Sequence, residues 1–295
     1  MVARGHPDSG VSPMGMRMKM SLIVDPRRVF AGLQHARGAA TLLARDPHDG
    51  LDRIRKRVRT WGGVRYHYAL EGDWEERLHQ VLGHPWPCPA ANDFSRLWPS
   101  VVATLAAQGL AVGRGTYGGW DDGNCALARV VWCLTQHVRP RRVVETGVAR
   151  GITTRCILEG LERNGDGHLW SIDLPALNAG VHDQIGAAVP APCRRRWTYL
   201  QGSSRQHLPS LLAALKEIDM FVHDSLHTER NLCFEMDEAW RALRPGGVLI
   251  ADDIQLNWGF GSFTRSVSGG QWLVGQHDDR QGLFGVVIKE PGRLV

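Results

Sequence analysis

From about residue 116 onward, short apolar runs rich in β-branched residues alternate with longer runs that have helical spacing. The first kind of run predicts buried strands and the second predicts helices. The predicted strands are Arg142–Glu145, His168–Asp173, Trp197–Gln201, Asp219–Asp224 and Gly247–Asp252, the last after a turn at 244–246. The predicted helices are Ala126–His137, Ile152–Arg163, Gln206–Lys216 and Glu229–Leu243, and Gln271–Gln276 with Leu283–Lys289 forms a predicted hairpin. Repeated strand–helix units imply an α/β fold, in which helices cover both faces of a mainly parallel sheet.

The N-terminal part of the chain lacks this rhythm. Residues 21–115 are rich in Pro, Trp and Arg, and we predict a mostly helical N-terminal cap, with helices at Asp49–Val58 and Ser100–Gln108 and a loop at Gly83–Ala91. Residues 1–20 are predicted to be disordered. The α/β domain is therefore expected over residues 116–295.

Charge and composition narrow the class of protein. The formal net charge is +5, and residues 101–295 hold as many acidic as basic residues, so the basic excess lies in the first hundred residues. It is concentrated at Arg53, Arg55, Lys56, Arg57, Arg59 and Arg65. This cluster forms either a solvated helix face or a contact site for an acidic partner. Without a recognised nucleic-acid module, we do not expect nucleic acid as the partner.

Targeting signals and cysteine spacing give further expectations. No run approaches the roughly 18 apolar residues of a membrane span, and the N-terminus lacks the apolar core of a signal peptide, so we predict a cytoplasmic protein. The six cysteines include no CxxC pair, and their spacing matches neither a zinc site nor a disulfide framework. We expect reduced thiols, with Cys133, Cys156 and Cys233 filling the core.

The run VVETGVARG at 143–151 is the most informative stretch of the chain. An apolar strand ends at Glu145, and Gly147, Ala149 and Gly151 then alternate up to the start of a helix. Small residues at such a joint let the backbone approach a ligand, and the free N–H groups of the helix face the same gap. The run predicts a cofactor-binding turn without deciding which cofactor it holds.

Acidic residues end the next predicted strands. Asp173 lies 22 positions after Gly151, where a carboxylate suits the ribose hydroxyls of either NAD or S-adenosylmethionine. Asp224 ends the fourth strand and Asp252 and Asp253 end the fifth, so a sheet ordered 3-2-1-4-5 would bring them together with Glu145. Clustered carboxylates repel one another unless a positive charge lies between them. A magnesium, manganese or calcium ion with oxygen ligands would provide that charge, and a hydride-transfer site has no evident need for it.

Four segments together resemble the class I S-adenosylmethionine-dependent methyltransferases. They are VVETGVARGIT at 143–153, WSIDLP at 170–175, FVHDSLHT at 221–228 and RPGGVLIADDI at 244–254. They are most similar to a metal-dependent O-methyltransferase branch that includes the macrocin-type sugar methyltransferases and proteins termed cephalosporin hydroxylase-like. The resemblance covers residues 116–290. It implies a Rossmann-like doubly wound sheet in the order 3-2-1-4-5-7-6, with an antiparallel last strand.

The resemblance also implies a cofactor site and a metal site. By it, Glu145, Gly147, Ala149 and Gly151 would surround the methionine part of S-adenosylmethionine, with Ala149 where many relatives have Gly. Asp173 would hold the ribose of the cofactor and Ser203 would lie near the adenine edge. The expected Mg²⁺ ligands are Asp224, Asp252 and Asp253, with Asp224 also close to the cofactor.

The resemblance implies that His227, three residues after Asp224, is the general base. Methyl transfer needs a nucleophilic oxygen, and an imidazole with a reference pKa of about 6.5 can remove the proton of a hydroxyl. The neighbouring His223 faces the other side of its strand by alternation and is expected to be a packed residue.

Further candidates flank these motifs. The residues that could cover the cofactor or bind substrate are Tyr117, Trp120, Asp121 and Asp122, although a helix cap beside a packed Trp fits this run equally well. The residues that could line the acceptor pocket are Asn257, Trp258 and Phe260.

Several functions remain open on the sequence alone. The first is a metal-assisted O-methyltransferase, which by family resemblance acts on a sugar hydroxyl of a glycoside and secondly on a catechol-like phenol. The others are a metal-independent methyltransferase, a nicotinamide oxidoreductase, which the PGG turn and the DD pair disfavour, and a non-catalytic cofactor-binding protein. A homodimer is a plausible assembly.

Overall fold

A computed structural model describes residues 47, 49–52, 66–117, 121–174 and 179–290 of the chain. The strands are β1 (Arg142–Thr146), β2 (His168–Asp173), β3 (Trp197–Gln201), β4 (Ile218–His223), β5 (Leu243–Ala251), β6 (Gly270–Gln276) and β7 (Leu283–Lys289). The helices are α1 (Trp74–Leu82), α2 (Pro89–Ala106), α3 (Ala126–Val138), α4 (Ile152–Asn164), α5 (Ser204–Leu215), α6 (Glu229–Ala242) and α7 (Gly259–Ser266). Short 3₁₀ helices span Ala179–Gln184, Ala191–Arg196 and Ile254–Leu256.

The strands form one seven-stranded sheet in the order β3-β2-β1-β4-β5-β7-β6. Strands β1 to β5 are mutually parallel, whereas β7 pairs antiparallel with both β5 and β6. This confirms the predicted α/β class, strand order and antiparallel last strand. The carboxyl ends of β1, β2, β4 and β5 therefore lie side by side at one edge of the sheet.

Three element boundaries differ from the predicted ones for local reasons. Helix α2 begins inside the predicted loop because Pro89 occupies its first position, where a missing N–H costs nothing. Helix α5 begins two residues early because Ser203 and Gln206 form a capping box. The predicted turn at 244–246 is a bulge within β5, since Leu243 pairs with Ile218 and the regular register resumes only at Val248.

The core lies on both faces of the sheet. In β1, Val143 packs with residues of α1 to α4, whereas Val144 packs with residues of α5 to α7, as the two-residue period of a strand requires. Leu78 of α1 and Leu105 of α2 are fully buried in the same cluster as Val143. The described part of the predicted cap thus shares a core with the sheet.

Some predictions concern residues outside the described part of the chain. They include the disorder of residues 1–20, the helix beyond residue 52, the basic cluster at 53–65 and any role of Trp120. Of the helices within the described ranges, none is both long enough and apolar enough to cross a bilayer.

Candidate active site

The turn between β1 and α4 has an unusual backbone. Gly147, Ala149 and Gly151 all have positive φ angles, of 88°, 48° and 78°. A Cβ on Gly147 would lie 2.0 Å from the carbonyl oxygen of Asp224, so only glycine fits where the turn meets the chain after β4. The backbone N–H of Ala149 donates to Oδ2 of Asp173 at 3.2 Å, which joins the turn to the end of β2.

Glu145 lies beneath this turn instead of in the cavity above it. It is fully buried, and its Oε2 accepts hydrogen bonds from Ser171 Oγ at 2.7 Å and Thr154 Oγ1 at 2.8 Å. Burial raises the pKa of this carboxyl group to about 8. Glu145 therefore ties β1 to β2 and α4, a geometry that differs from its predicted contact with a cofactor.

Gly151 also shapes the turn without lining the cavity. A Cβ on this residue would come within 3.0 Å of Gly186 Cα and Val189 Cγ2, so glycine allows the following segment to pack closely. Of the predicted cofactor residues in the turn, Gly147 and Ala149 face the cavity.

Arg150 organises the cavity wall, although the glycine pattern gave it no role. The side chain is almost completely buried and its guanidinium lies 5.4 Å from the ring centroid of Tyr117. It donates to Ala111 O at 2.6 Å, Asp122 Oδ2 at 2.7 Å, Thr116 O at 2.9 Å and Gln184 Oε1 at 3.0 Å. These bonds hold residues 111–117 and Asp122 over the glycine turn. A lone basic residue inside a run of small residues was the available sequence signal.

One cavity of about 500 Å³ opens at this edge of the sheet. Its wall includes Tyr117, Gly147, Ala149, Asp173 and Ser203 on one side. On the other side it includes Asp224, His227, Asp252, Asp253 and His277. The cavity therefore joins the glycine turn to the acidic strand ends, as the parallel order of the sheet requires.

The residues proposed for an acceptor pocket after β5 are placed differently. Trp258 stacks on Tyr68 with ring centroids 5.4 Å apart, Phe260 is fully buried, and neither of these nor Asn257 lines the cavity. The 3₁₀ helix at Ile254–Leu256 carries the chain away from β5 before α7 begins, and the three side chains lie away from the cavity wall, in contrast to the predicted acceptor pocket.

Two imidazoles lie among the acidic side chains. His227 Nδ1 is 3.2 Å from Asp253 Oδ2, and its Nε2 is 3.5 Å from Asp224 Oδ1. His277 Nε2 is 2.8 Å from Asp252 Oδ1. His277, which no sequence motif marked, reaches the site from the hairpin turn after β6. Each predicted metal-binding carboxylate thus has a histidine beside it.

The pKa values of this group follow from burial and mutual contact. Burial raises the pKa of Asp224 to about 6, although His227 opposes the shift. Burial would also raise the pKa of Asp253, but the His227 imidazole outweighs it and holds that pKa below its usual range. Burial would lower the pKa of His277, but Asp252 raises it to about 9. His277 is therefore cationic at neutral pH and offsets part of the carboxylate charge.

The carboxylates of Asp224, Asp252 and Asp253 do not converge on one point as the ligands of a single metal ion would. Their oxygens are the donors that a hard divalent cation prefers. Among the residues that the structure describes, however, the single group of three or more metal-capable atoms within 4.8 Å of one another lies elsewhere in the fold. His227 occupies the space between Asp224 and Asp253. The donor chemistry fits Mg²⁺, but the spacing does not.

A buried contact between a histidine and a glutamate supports the loop that carries His227. His223 is fully buried, and its Nδ1 lies 2.6 Å from Glu235 Oε2. Although burial opposes it, His223 lowers the pKa of Glu235, which stays ionised. Glu235 Oε1 accepts from Ser225 Oγ at 2.7 Å and Asn231 Nδ2 at 2.9 Å, which fixes the start of the loop. A glutamate on the apolar face of α6 was the only sequence signal for this network.

Residues 144–254 match a family model described as a methyltransferase domain. This match spans β1 to the end of β5 and includes the glycine turn, Asp173, Asp224, His227 and the Asp252–Asp253 pair. The match covers 111 of the 295 residues, and over this part the chain is similar to a methyltransferase domain. No curated protein matches the chain.

Several solved structures are similar in outline. A putative O-methyltransferase from Klebsiella pneumoniae is 17% identical, with 73% of this chain and 95% of that chain covered and a TM-score of 0.48. The O-methyltransferase TomG from Streptomyces achromogenes, in complex with SAM, is 15% identical over 69% and 90%, with a TM-score of 0.48. An O-methyltransferase from Bacillus cereus in complex with SAH is 17% identical over 72% and 96%, with a TM-score of 0.47. The ligands and substrates in these descriptions belong to those proteins alone.

Proposed function

We propose that this protein transfers the methyl group of S-adenosylmethionine to a hydroxyl oxygen of a small molecule. The observation that carries the proposal is the single cavity lined by Gly147, Ala149 and Asp173 on one side and by His227 between two carboxylates on the other. A donor site and a base site thus face the same space.

The donor half suits an adenosyl cofactor. Gly147 lines the cavity, and its lack of a side chain lets the turn pack against the carbonyl oxygen of Asp224. Asp173 lies at the end of β2, where it can accept hydrogen bonds from two ribose hydroxyls. Ser203 lies on the wall at the start of α5, in keeping with its predicted position near the adenine. The cofactor, when bound, supplies a methyl group on a positively charged sulfur.

The base half suits proton removal from an acceptor. Asp253 has a depressed pKa and lies 3.2 Å from His227 Nδ1, so it can accept a hydrogen bond from an N–H on that nitrogen, the tautomer in which Nε2 is the basic nitrogen. His227 lies on the cavity wall, where a substrate hydroxyl that reaches Nε2 can donate its proton there. Asp253 then stabilises the imidazolium.

The chemistry balances with these groups. The acceptor O–H bond breaks and its proton goes to His227 Nε2, while the oxygen forms a bond to the methyl carbon of the cofactor. The methyl–sulfur bond breaks with its electron pair on sulfur, which gives the neutral thioether S-adenosylhomocysteine. Holding the oxygen in line with that bond is the positioning task of the cavity.

A sugar hydroxyl on a glycoside is the proposed acceptor, with a catechol-like phenol second. Within the described residues of the wall, Tyr117 is the only Phe, Trp or Tyr side chain, and Arg150 already covers its ring on the donor side. The acceptor side has carboxylates, imidazoles and the amides of Asn124 and Gln281. Such a wall suits hydrogen bonding to a polyhydroxylated molecule better than stacking on a planar ring.

The test compares His227→Ala with His67→Ala, an exposed histidine away from the cavity. Release of S-adenosylhomocysteine is measured over a panel of glycosides and phenols, and cofactor affinity is measured by calorimetry. We expect His227→Ala to lower kcat about 10²- to 10⁴-fold, the usual contribution of a general base, with little change in cofactor affinity. Unchanged turnover in His227→Ala would remove this residue from the mechanism. Tight cofactor binding without turnover on any acceptor would instead favour a non-catalytic binding protein.

Assistance by a divalent cation is a second candidate, favoured by the three carboxylates on the acceptor side. An ion such as Mg²⁺ would need Asp224, Asp252 and Asp253 to converge and His227 to withdraw from between two of them. The test is turnover after thorough chelation and after Mg²⁺ is restored. Activity that survives chelation excludes the cation, whereas recovery with Mg²⁺ that is lost in Asp252→Asn supports it.

We also propose a cytoplasmic homodimer, on the grounds of the sequence alone. Light scattering of the purified protein measures its mass in solution, and a monomeric mass would overturn the dimer.

A further inference from the structure

Four side chains meet where α1, the residue before α2, and α3 pack together. His79 lies on α1, Cys88 immediately precedes α2, and Cys133 and His137 are one turn apart on α3. One nitrogen or sulfur from each lies within 4.8 Å of the other three. His79, Cys88 and Cys133 are buried and His137 is partly buried. This cysteine–histidine cluster lies outside the cavity described above.

The donor atoms point at one another. His79 Nε2 is 3.0 Å from Cys88 Sγ, 3.1 Å from His137 Nε2 and 3.6 Å from Cys133 Sγ. His137 Nε2 is 3.4 Å from Cys88 Sγ. In a tetrahedral zinc site with Zn–N near 2.0 Å and Zn–S near 2.3 Å, neighbouring donor atoms are about 3.3 to 3.8 Å apart. The cluster therefore has roughly the dimensions of a single four-coordinate ion.

The tautomer of His79 is suited to metal binding. Its Nδ1 lies 2.6 Å from the backbone carbonyl oxygen of Glu75, which can only accept, so Nδ1 carries the proton. In the neutral imidazole, Nε2 then has its lone pair directed at the three other donor atoms. A backbone carbonyl on the far nitrogen is the usual way in which proteins orient a ligating histidine.

We propose that this cluster binds one zinc ion with Cys88, Cys133, His79 and His137 as its four ligands. Two thiolates and two imidazoles are a typical zinc donor set, and four protein ligands leave no open position for substrate. Binding releases the two thiol protons, and the resulting complex is electrically neutral, which suits a buried position. The ion has a structural role: it fastens α1 and the start of α2 to α3.

Nearby side chains close the cluster. The ring of His84 lies 4.3 Å from that of His137, and the ring of Trp86 lies 4.8 Å from that of His79. These two residues come from the short connection between α1 and α2 that also carries Cys88. A zinc ion would therefore hold this connection against α3. Without the ion, few side-chain contacts would hold it there.

The test measures metal in the full-length protein. Protein produced with zinc in the medium and dialysed against metal-free buffer is analysed by mass spectrometry for zinc, and Co²⁺ is then exchanged into it. We expect about one zinc ion per chain and, with Co²⁺, the visible bands of a tetrahedral site together with thiolate-to-metal charge transfer. Zinc in this site is chemically distinct from any cation at the carboxylates, so Asp253→Asn should keep its zinc.

Cys133→Ser is paired with Cys156→Ser, a matched control in which a buried thiol of α4 is removed outside the cluster. We expect Cys133→Ser to hold less than about a tenth of the wild-type zinc, and Cys156→Ser to hold all of it. If Cys133→Ser does not fold, the Co²⁺ spectrum of the wild type decides the matter. The proposal is overturned by wild-type protein that binds neither metal, by equal zinc loss in both variants, or by an intact mass that reveals a Cys88–Cys133 disulfide.

Discussion

The cavity at the carboxyl ends of the strands and the cysteine–histidine cluster lie at different points along the same helix. Leu127 and Ala128 of α3 line the cavity, and Cys133 and His137 belong to the cluster. Both regions collect ionisable side chains from distant parts of the chain. In the cavity, carboxylates are offset by histidines that remain beside open space. In the cluster, two thiols and two imidazoles face one another in a largely buried position. The first arrangement suits proton transfer and the second suits a fixed ion.

The largest loss of cofactor affinity is expected from Gly147→Ala, on the cavity side of this pair of regions. The added Cβ would overlap the carbonyl oxygen of Asp224 and would demand an unfavourable positive φ. We expect affinity for S-adenosylhomocysteine to fall about 100-fold or more, measured by calorimetry. Gly165→Ala is the control, because Gly165 also has a positive φ but has open space around it. Equal cofactor affinity in the two variants would mean that the turn does not contact the cofactor.

We next expect that a variant of the cluster changes stability but not turnover, and that a variant of the cavity changes turnover but not stability. Cys88→Ser should lower Tm by about 6 °C, corresponding to roughly 2 kcal/mol for a domain of this size, and leave kcat within about twofold. His227→Ala should lower kcat and leave Tm nearly unchanged. The measurements are calorimetric unfolding and initial rates on the same preparations. A large loss of kcat in Cys88→Ser at temperatures where it is folded would contradict the separation of roles.

Glu145, buried beneath the glycine turn, allows a test based on how stability depends on pH. Its pKa in the folded protein is about 8, against an ordinary value of 4.5, so the folded state holds the proton more tightly than the unfolded chain. The stability that this provides is complete below pH 4.5 and is lost as pH rises through about 8.

Glu145→Gln cannot ionise and lacks this pH dependence. The free energy of unfolding of the variant, minus that of the wild type, should therefore increase from pH 5 to pH 9 by an amount on the order of 2 kcal/mol. Urea unfolding at several pH values measures the difference. Glu76→Gln, on the exposed face of α1, is the control. A difference that does not change with pH would mean that Glu145 is ionised in the folded protein.

The smallest effect is expected from Asp173→Asn. The amide retains the shape of the side chain but accepts hydrogen bonds more weakly than a carboxylate, so affinity for S-adenosylhomocysteine should fall about tenfold. The control is Asp166→Asn, an exposed residue before β2. Equal affinities in the two variants would assign Asp173 only to the support of the turn through Ala149.

Local patterns predicted most of the fold because the strands and helices α3 to α6 are signalled by their own residues, whereas α7 was not predicted. The two-residue period separates Val143 from Val144, and the glycine turn and the acidic strand ends appear directly in the sequence. The N-terminal region was less predictable, because α1 is only 9 residues long and prolines mark the connection into α2. The start of α2 at Pro89 was hidden among prolines that otherwise indicate a loop.

The site was predicted only in part. Strand order alone was enough to expect that Asp224, Asp252 and Asp253 line one cavity. It was not enough to foresee His277 beside Asp252, because that histidine comes from a hairpin turn whose reach depends on the antiparallel pairing of β6 and β7. The expectation that the carboxylates need a metal overlooked this cation and the position of His227.

The cysteine–histidine cluster was even less predictable from the sequence than the cavity. Cysteine spacing led us to expect no zinc site, since Cys88 and Cys133 are separated by the whole of α2 and half of α3. Only the packing of α1, α2 and α3 brings them to His79 and His137. The α/β fold, the glycine turn and the edge of the sheet that holds the cavity could be predicted from the chain, because these depend on local periodicity and strand order. Tertiary structure alone decided which histidines accompany which carboxylates and cysteines, because those distances depend on how separate elements pack.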